Sequence, residues 1–158
     1  MNKKIKKILD KKNKSKVICL TAYSKNIASI LDKYCDLVLV GDSLGSVLYN
    51  YKSTKQVTLD IMINHSKSVR SGLKKSLMVV DMPYNTYRNS KEALKNAKLV
   101  MRKTKCEAIK LEGGSKIHHR LGIRPAAYGR WGAGHRPAGH AVDQCTVHSR
   151  CIVVPADA

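Results

Sequence analysis

The chain has no phenylalanine, a single tryptophan and few acids: 11 Asp and Glu face 30 Lys and Arg across 158 residues. It also has no apolar run of membrane-spanning length, and residues 1–16 are charged throughout, without the apolar stretch that a secretory signal needs. Neither a membrane partner nor an export leader is expected, and the expected compartment is the cytoplasm. The cysteines show no disulfide framework. Cys19, Cys35 and Cys106 fall in or beside apolar segments, where a small buried residue belongs, and this suits a reducing compartment.

The shortage of aromatics bears on the charge. A formal net charge of +19 would by itself point to nucleic acid or an anionic surface. The cations are scattered over polar faces, however, with one cluster in residues 1–16, no arginine-rich stripe and no interleaved aromatics on which bases could stack. Solvated lysine faces account for the charge better than a nucleic-acid footprint, so no nucleic-acid partner is expected.

A chain of this length suits one domain. Over residues 1–112 apolar runs alternate with segments of helical period. Strands are expected at 17–20, 36–41, 77–81 and 106–112. Between them, Ser24 caps a helix with Ile27, Ile30, Leu31 and Tyr34 at helical spacing. Thr58 caps another carrying Leu59, Met62, Val69 and Leu73, with Gly72 near its end. Asn89 and Glu92 form a capping box before Leu94, Ala97 and Met101. A loop is expected at 49–56, and Pro83 stops the third strand. Strands this apolar, each followed by a helix, predict a parallel sheet covered on both faces, an α/β fold. An eight-stranded (β/α) barrel needs about 250 residues, so any barrel built here is partial.

Three of the scarce acids close apolar runs: Asp42 after 36–41, Asp81 after 77–80 and Glu112 after 108–111. In a parallel barrel the chemistry sits where strands end, because side chains from different strands can reach one ion there. Oxygen ligands from three βα units suit a hard divalent cation. Lone acids at strand ends usually cap helices or face solvent; three with these flanks favour the site. Lys110 interrupts an apolar run, where a lysine without an anionic partner would be costly to bury. His65 is expected to pack or cap within its helix, and Ser43 alone could simply satisfy its turn.

The segments Thr21-Ala22-Tyr23, Val40-Gly41-Asp42-Ser43-Leu44-Gly45, Val80-Asp81-Met82-Pro83-Tyr84 and Ala108-Ile109-Lys110-Leu111-Glu112-Gly113-Gly114, in this order, resemble the ketopantoate hydroxymethyltransferase family. Ser53-Thr54, Val57-Thr58, His65 and Val69-Arg70-Ser71-Gly72 extend the likeness, which covers residues 1–117. It implies the first four βα units of a (β/α)8 TIM barrel of the phosphoenolpyruvate/pyruvate type. It further implies Mg2+ and transfer of a one-carbon unit from methylenetetrahydrofolate to the 2-oxoacid 3-methyl-2-oxobutanoate, in a homo-oligomer when full length. By motif, Asp42 and Asp81 are implied metal ligands, with Glu112 a third through water, while Asp42, Ser43, Asp81 and Lys110 line the 2-oxoacid site. The implied general-base glutamate belongs to a second half, so no catalytic residue is assigned. Ser24 stands where members carry an acid. Two rival functions are another metal-dependent 2-oxoacid lyase on the same barrel and a non-enzymatic basic nucleic-acid-binding protein.

From residue 118 the vocabulary changes. All twenty-two lysines lie at or before Lys116, while five of eight arginines, five of six histidines, three of four prolines and the tryptophan lie beyond it. Residues 118–158 show no clean period and are expected to form an irregular or disordered tail, foreign or out of frame relative to residues 1–117, the alternative being a divergent natural C-terminus. Cys145, His148 and Cys151, with His135 and His140, superficially suggest zinc, but the spacing lacks turn residues and makes a poor structural site.

Overall fold

The computed structural model describes residues 2–11, 14–112 and 151–155. Four parallel strands follow one another in chain order: β1 (Cys19–Thr21), β2 (Leu37–Val40), β3 (Leu77–Asp81) and β4 (Ala108–Glu112). Helices α1 (Lys3–Asp10), α2 (Lys25–Leu31), α3 (Leu44–Tyr49), α4 (Leu59–Gly72) and α5 (Ser90–Thr104) precede, join or cover them, with a 3-10 turn at Thr54–Gln56. The expected strand and helix alternation is present, with the first strand two residues later than the sequence suggests.

Register decides which side chains share a face. Leu37 pairs with Leu77, Val79 with Ala108 and Asp81 with Lys110. With the two-residue period of a strand, Leu77, Val79 and Asp81 therefore stand beside Ala108, Lys110 and Glu112 on one face. The opposite face carries Val38, Val40, Met78, Val80, Ile109 and Leu111, which pack with Met62 and Val69 of α4 and Val100 of α5 into the main core. On the first face Leu39, Leu77, Val79 and Ala108 pack against Ile5 and Ile8 of α1. The sheet is thus covered on both sides, and α1 fills the first face towards the strand N-termini, leaving the acid-bearing ends at the other.

Polar anchors fix α1. Lys4 Nζ donates to the Ser76 carbonyl at 2.9 Å and pairs with Glu107 at 3.1 Å. Glu107 also receives Arg70 at 3.0 Å and the Met78 amide at 2.8 Å, so this buried acid is satisfied by two cations and a strand. Lys11 pairs with Asp36 at 2.6 Å. Residues 1–16 read as solvated charge in the sequence; Ile5 and Ile8 on one side of an eight-residue helix change that reading.

Helix α2 departs from its expected packing. Ala28 is buried, yet Ile27, Ile30 and Tyr34 are exposed, because α2 meets α4 through small residues: a Cβ on Gly72 would strike the Lys25 carbonyl and lie 3.0 Å from the Ala28 methyl. Ser24 occupies the N-cap without a capping bond, whereas the Thr58 and Asn89 side chains accept from Ile61 and Glu92 amides at 3.3 and 2.9 Å. Glu92 reaches back to the Arg88 amide, one residue before the N-cap, at 3.1 Å.

Residues 151–155, assigned above to an irregular tail, form β5 (Cys151–Pro155), antiparallel to β4 with Lys110 opposite Val153. The run Cys-Ile-Val-Val supplies the β-branched residues that a strand accepts, a local signal outweighed above by the aperiodic residues around it. The remainder of 118–158, including Cys145, His148, His135 and His140, lies outside the described residues.

Candidate active site

The site lies where β2, β3 and β4 end. Gly41 follows β2 and lets the chain turn close to β3: a methyl there would sit 3.0 Å from Ser43 Oγ and 3.5 Å from Asp81 Oδ2. That close approach brings the Asp42 amide to 3.4 Å from Asp81 Oδ2, so the two acids are neighbours. Asp81 is 4% exposed and pairs through Oδ1 with Lys110 Nζ at 2.7 Å, as their register dictates. The same ammonium donates to Glu112 at 2.9 Å. Buried Lys110 therefore has the anionic partner that its burial required.

Electrostatics follow from this crowding. Burial, reinforced by the charges of Asp42 and Glu112, pushes Asp81 up to about 6 although Lys110 opposes it. Asp42 is also raised, by burial and then by Glu112, against Lys110, the Thr54 hydroxyl and the Ser43 amide. Perturbed acids of this kind cluster at functional sites as well as in structural ion-pair networks.

The donor set fits a hard cation in part. Asp81 Oδ1 is buried and faces Lys110 Nζ at 2.7 Å, so one carboxylate oxygen is already held by a cation. Among the described residues, no three His, Cys, Asp or Glu side chains are arranged to hold an ion together. Glu112 has a 60% exposed side chain and meets Asp81 only through Lys110, unlike the three-acid convergence expected from the strand ends. Asp42 and Asp81 remain, joined by the Asp42 amide and within reach of each other's charge; Mg2+ commonly takes one or two carboxylates from a protein while retaining waters or substrate oxygens.

Ser43 Oγ lies 2.7 Å from the Tyr23 hydroxyl, joining the first βα loop to the second. Tyr87, absent from the sequence-based candidates, is half-buried beside the acids. Its phenol is raised by burial and then by the charges of Glu112, Asp42 and Asp81, against a backbone hydrogen bond from Glu112. No motif marks it; only the path of the loop after Pro83 brings it here. The thiols stand apart from this chemistry: burial pushes Cys106 up to about 11 and raises Cys35, and both are free.

Four parallel strands alternating with helices, with Asp42, Asp81 and a buried lysine gathered at the strand C-termini, define an α/β protein of the barrel type, whose sites lie at that end of the sheet. Residues 2–123 match the family described as ketopantoate hydroxymethyltransferase, and the chain belongs to it. It is 76% identical over 117 residues to the 3-methyl-2-oxobutanoate hydroxymethyltransferase of Pelagibacter ubique (strain HTCC1062), covering 74% of this chain and 46% of that protein. Proteins of the same description from Chelativorans sp. (strain BNC1) and Rhizobium etli are 53% and 52% identical over 107 and 102 residues, covering 67% and 64% of this chain and 38% and 37% of theirs. The chain thus spans less than half the length of these curated relatives.

Proposed function

We propose that this chain supplies the metal and oxoacid half of a cytoplasmic enzyme that transfers a hydroxymethyl group from 5,10-methylenetetrahydrofolate to 3-methyl-2-oxobutanoate, giving 2-dehydropantoate for pantothenate and coenzyme A synthesis. The observation carrying the reading is the buried Asp81, adjacent to Asp42, ion-paired to Lys110 and raised to about 6 at the ends of three parallel strands. The relatives' names support the substrate.

Asp42 and Asp81 would hold Mg2+, with Glu112 acting through water. A bound hard cation supplies Lewis acidity, drawing density from the keto oxygen and acidifying the neighbouring C–H. Lys110 adds a fixed positive charge for the oxoacid carboxylate or the developing enolate. Ser43 offers a hydroxyl to the same ligand. Asp81 must be ionised to serve, which Lys110 and a divalent ion both favour. The proton-abstracting glutamate and much of the folate site belong to the other half of the relatives' length, and the complete enzyme is a homo-oligomer acting on small molecules. The tail after about residue 117, most of which lies beyond the end of the family match at residue 123, we read as foreign or out of frame; uniform base composition in one frame across codon 117 would refute that.

Titration of the chain with 3-methyl-2-oxobutanoate, followed by NMR, tests the site. Binding is expected with MgCl2 present and lost with EDTA, and Asp42→Ala and Asp81→Ala should each abolish it. Binding that persists in EDTA, or in both variants, contradicts the assignment.

A further inference from the structure

Helix α3 begins at the acid-bearing loop and exposes Val47, Leu48 and Tyr49, so burial of that side does not hold it in place. Both ends are instead tied into one circuit of polar contacts. At the start, Ser43 Oγ meets the Tyr23 hydroxyl at 2.7 Å; at the end, the Tyr49 hydroxyl meets His65 Nε2 at 2.9 Å. His65 Nδ1 lies 2.8 Å from the Tyr23 carbonyl, which joins the two halves. A carbonyl can only accept, so Nδ1 carries the proton, and in the neutral ring Nε2 accepts from Tyr49. The Tyr49 and Tyr51 rings stack at 5.4 Å, and the His65 ring meets Tyr49 edge-on at 5.8 Å, which fixes the imidazole plane.

We propose that His65 is a positioning residue: by holding the Tyr23 carbonyl and the Tyr49 hydroxyl at once, it sets the Tyr23 phenol that orients Ser43 Oγ beside Asp42 and Asp81. His65 lies on α4 and touches no acid of the site, so its influence runs through Tyr23. The functional consequence rests on the oxoacid site proposed above; the circuit itself does not.

Ring 15N shifts of His65 in the intact 158-residue chain provide the first test. A protonated Nδ1 with an accepting Nε2 is expected, the tautomer that free histidine disfavours, and Tyr49→Phe should move Nε2 while Nδ1 stays protonated. His65→Ala should shift the Tyr23, Asp42 and Ser43 amides, whereas His65→Asn, which can still donate to the carbonyl, should restore them in part. A protonated Nε2 with bare Nδ1, or unmoved Asp42 and Ser43 amides in His65→Ala, overturns the proposal. The second test is oxoacid affinity with MgCl2: His65→Ala and Tyr23→Phe should each weaken it about three- to tenfold, the loss of one hydrogen bond, and the double variant should be no weaker than either. Additive losses would sink the shared route through Tyr23. If the wild-type chain binds no oxoacid, the proposed function falls while the ring and amide shifts still decide the circuit.

Discussion

Asp32 is 8% exposed and receives the amides of Lys74 at 3.0 Å, Lys75 at 2.9 Å and Ser76 at 2.7 Å, tying the end of α2 to the turn before β3. Burial alone would raise its pKa; the three amides outweigh that and hold it below the ordinary aspartate value of 3.8. A group lowered in this way stabilises the fold above its unfolded pKa and loses that contribution as pH falls through the folded one. Asp32→Asn should therefore cost about 1.5–3 kcal/mol at pH 7. In urea unfolding the gap to wild type should narrow below pH 3.8; an unchanged gap would refute the linkage. Asp81 carries the opposite sign. It keeps its proton to about 6 when folded and to about 3.8 when unfolded, so its contribution is greatest at low pH and declines as pH rises between those values. Asp81→Asn should flatten that decline, and a persisting slope would locate it elsewhere. Asp42, Asp81 and Lys110 were legible in the sequence because each ends or interrupts an apolar run. Tyr87, and the link of His65 to Ser43, were not, since loop paths rather than spacing bring them together.

Gly72 shows how closely two helices approach when one lacks a side chain. A Cβ there would strike the Lys25 carbonyl and come within 2.9 Å of Ser29 Oγ, both on α2. Backbone cannot yield as a flexible side chain can, so Gly72→Ala should force α2 and α4 apart and destabilise by about 1–3 kcal/mol. Alanine favours helices intrinsically, and an equally stable Gly72→Ala would show that α2 moves freely. β3 was readable as an apolar run closed by Asp81, β4 as one broken only by Lys110, and α4 and α5 from their caps. α3 has six residues, too few for a period to declare itself, and α1 hides Ile5 and Ile8 among lysines. The exposed Ile27 and Ile30 show the converse: a correct helical period can still misjudge the buried side when a glycine contact sets the angle of approach.

At the scale of the molecule, each βα unit adds its strand at the same edge, β1 to β4 in order, and a further unit would pair parallel with β4. β5 occupies that edge in the opposite direction. A sheet edge of unpaired amides and carbonyls invites pairing with another chain, and covering it suppresses association. Deleting residues 118–158 removes five arginines and two aspartates from a chain of net charge +19, so repulsion between copies stays nearly the same. At about 0.15 M salt, where the Debye length is about 8 Å, such repulsion is short-ranged and the exposed edge should dominate. The deletion variant should then show a higher weight-average mass than the full chain at equal concentration by light scattering. Equal masses would mean that β5 does not shield β4. The family match reaches residue 123, past the change of vocabulary at 117, so a second variant cut after residue 123 separates loss of β5 from loss of matched sequence: both deletions should associate alike.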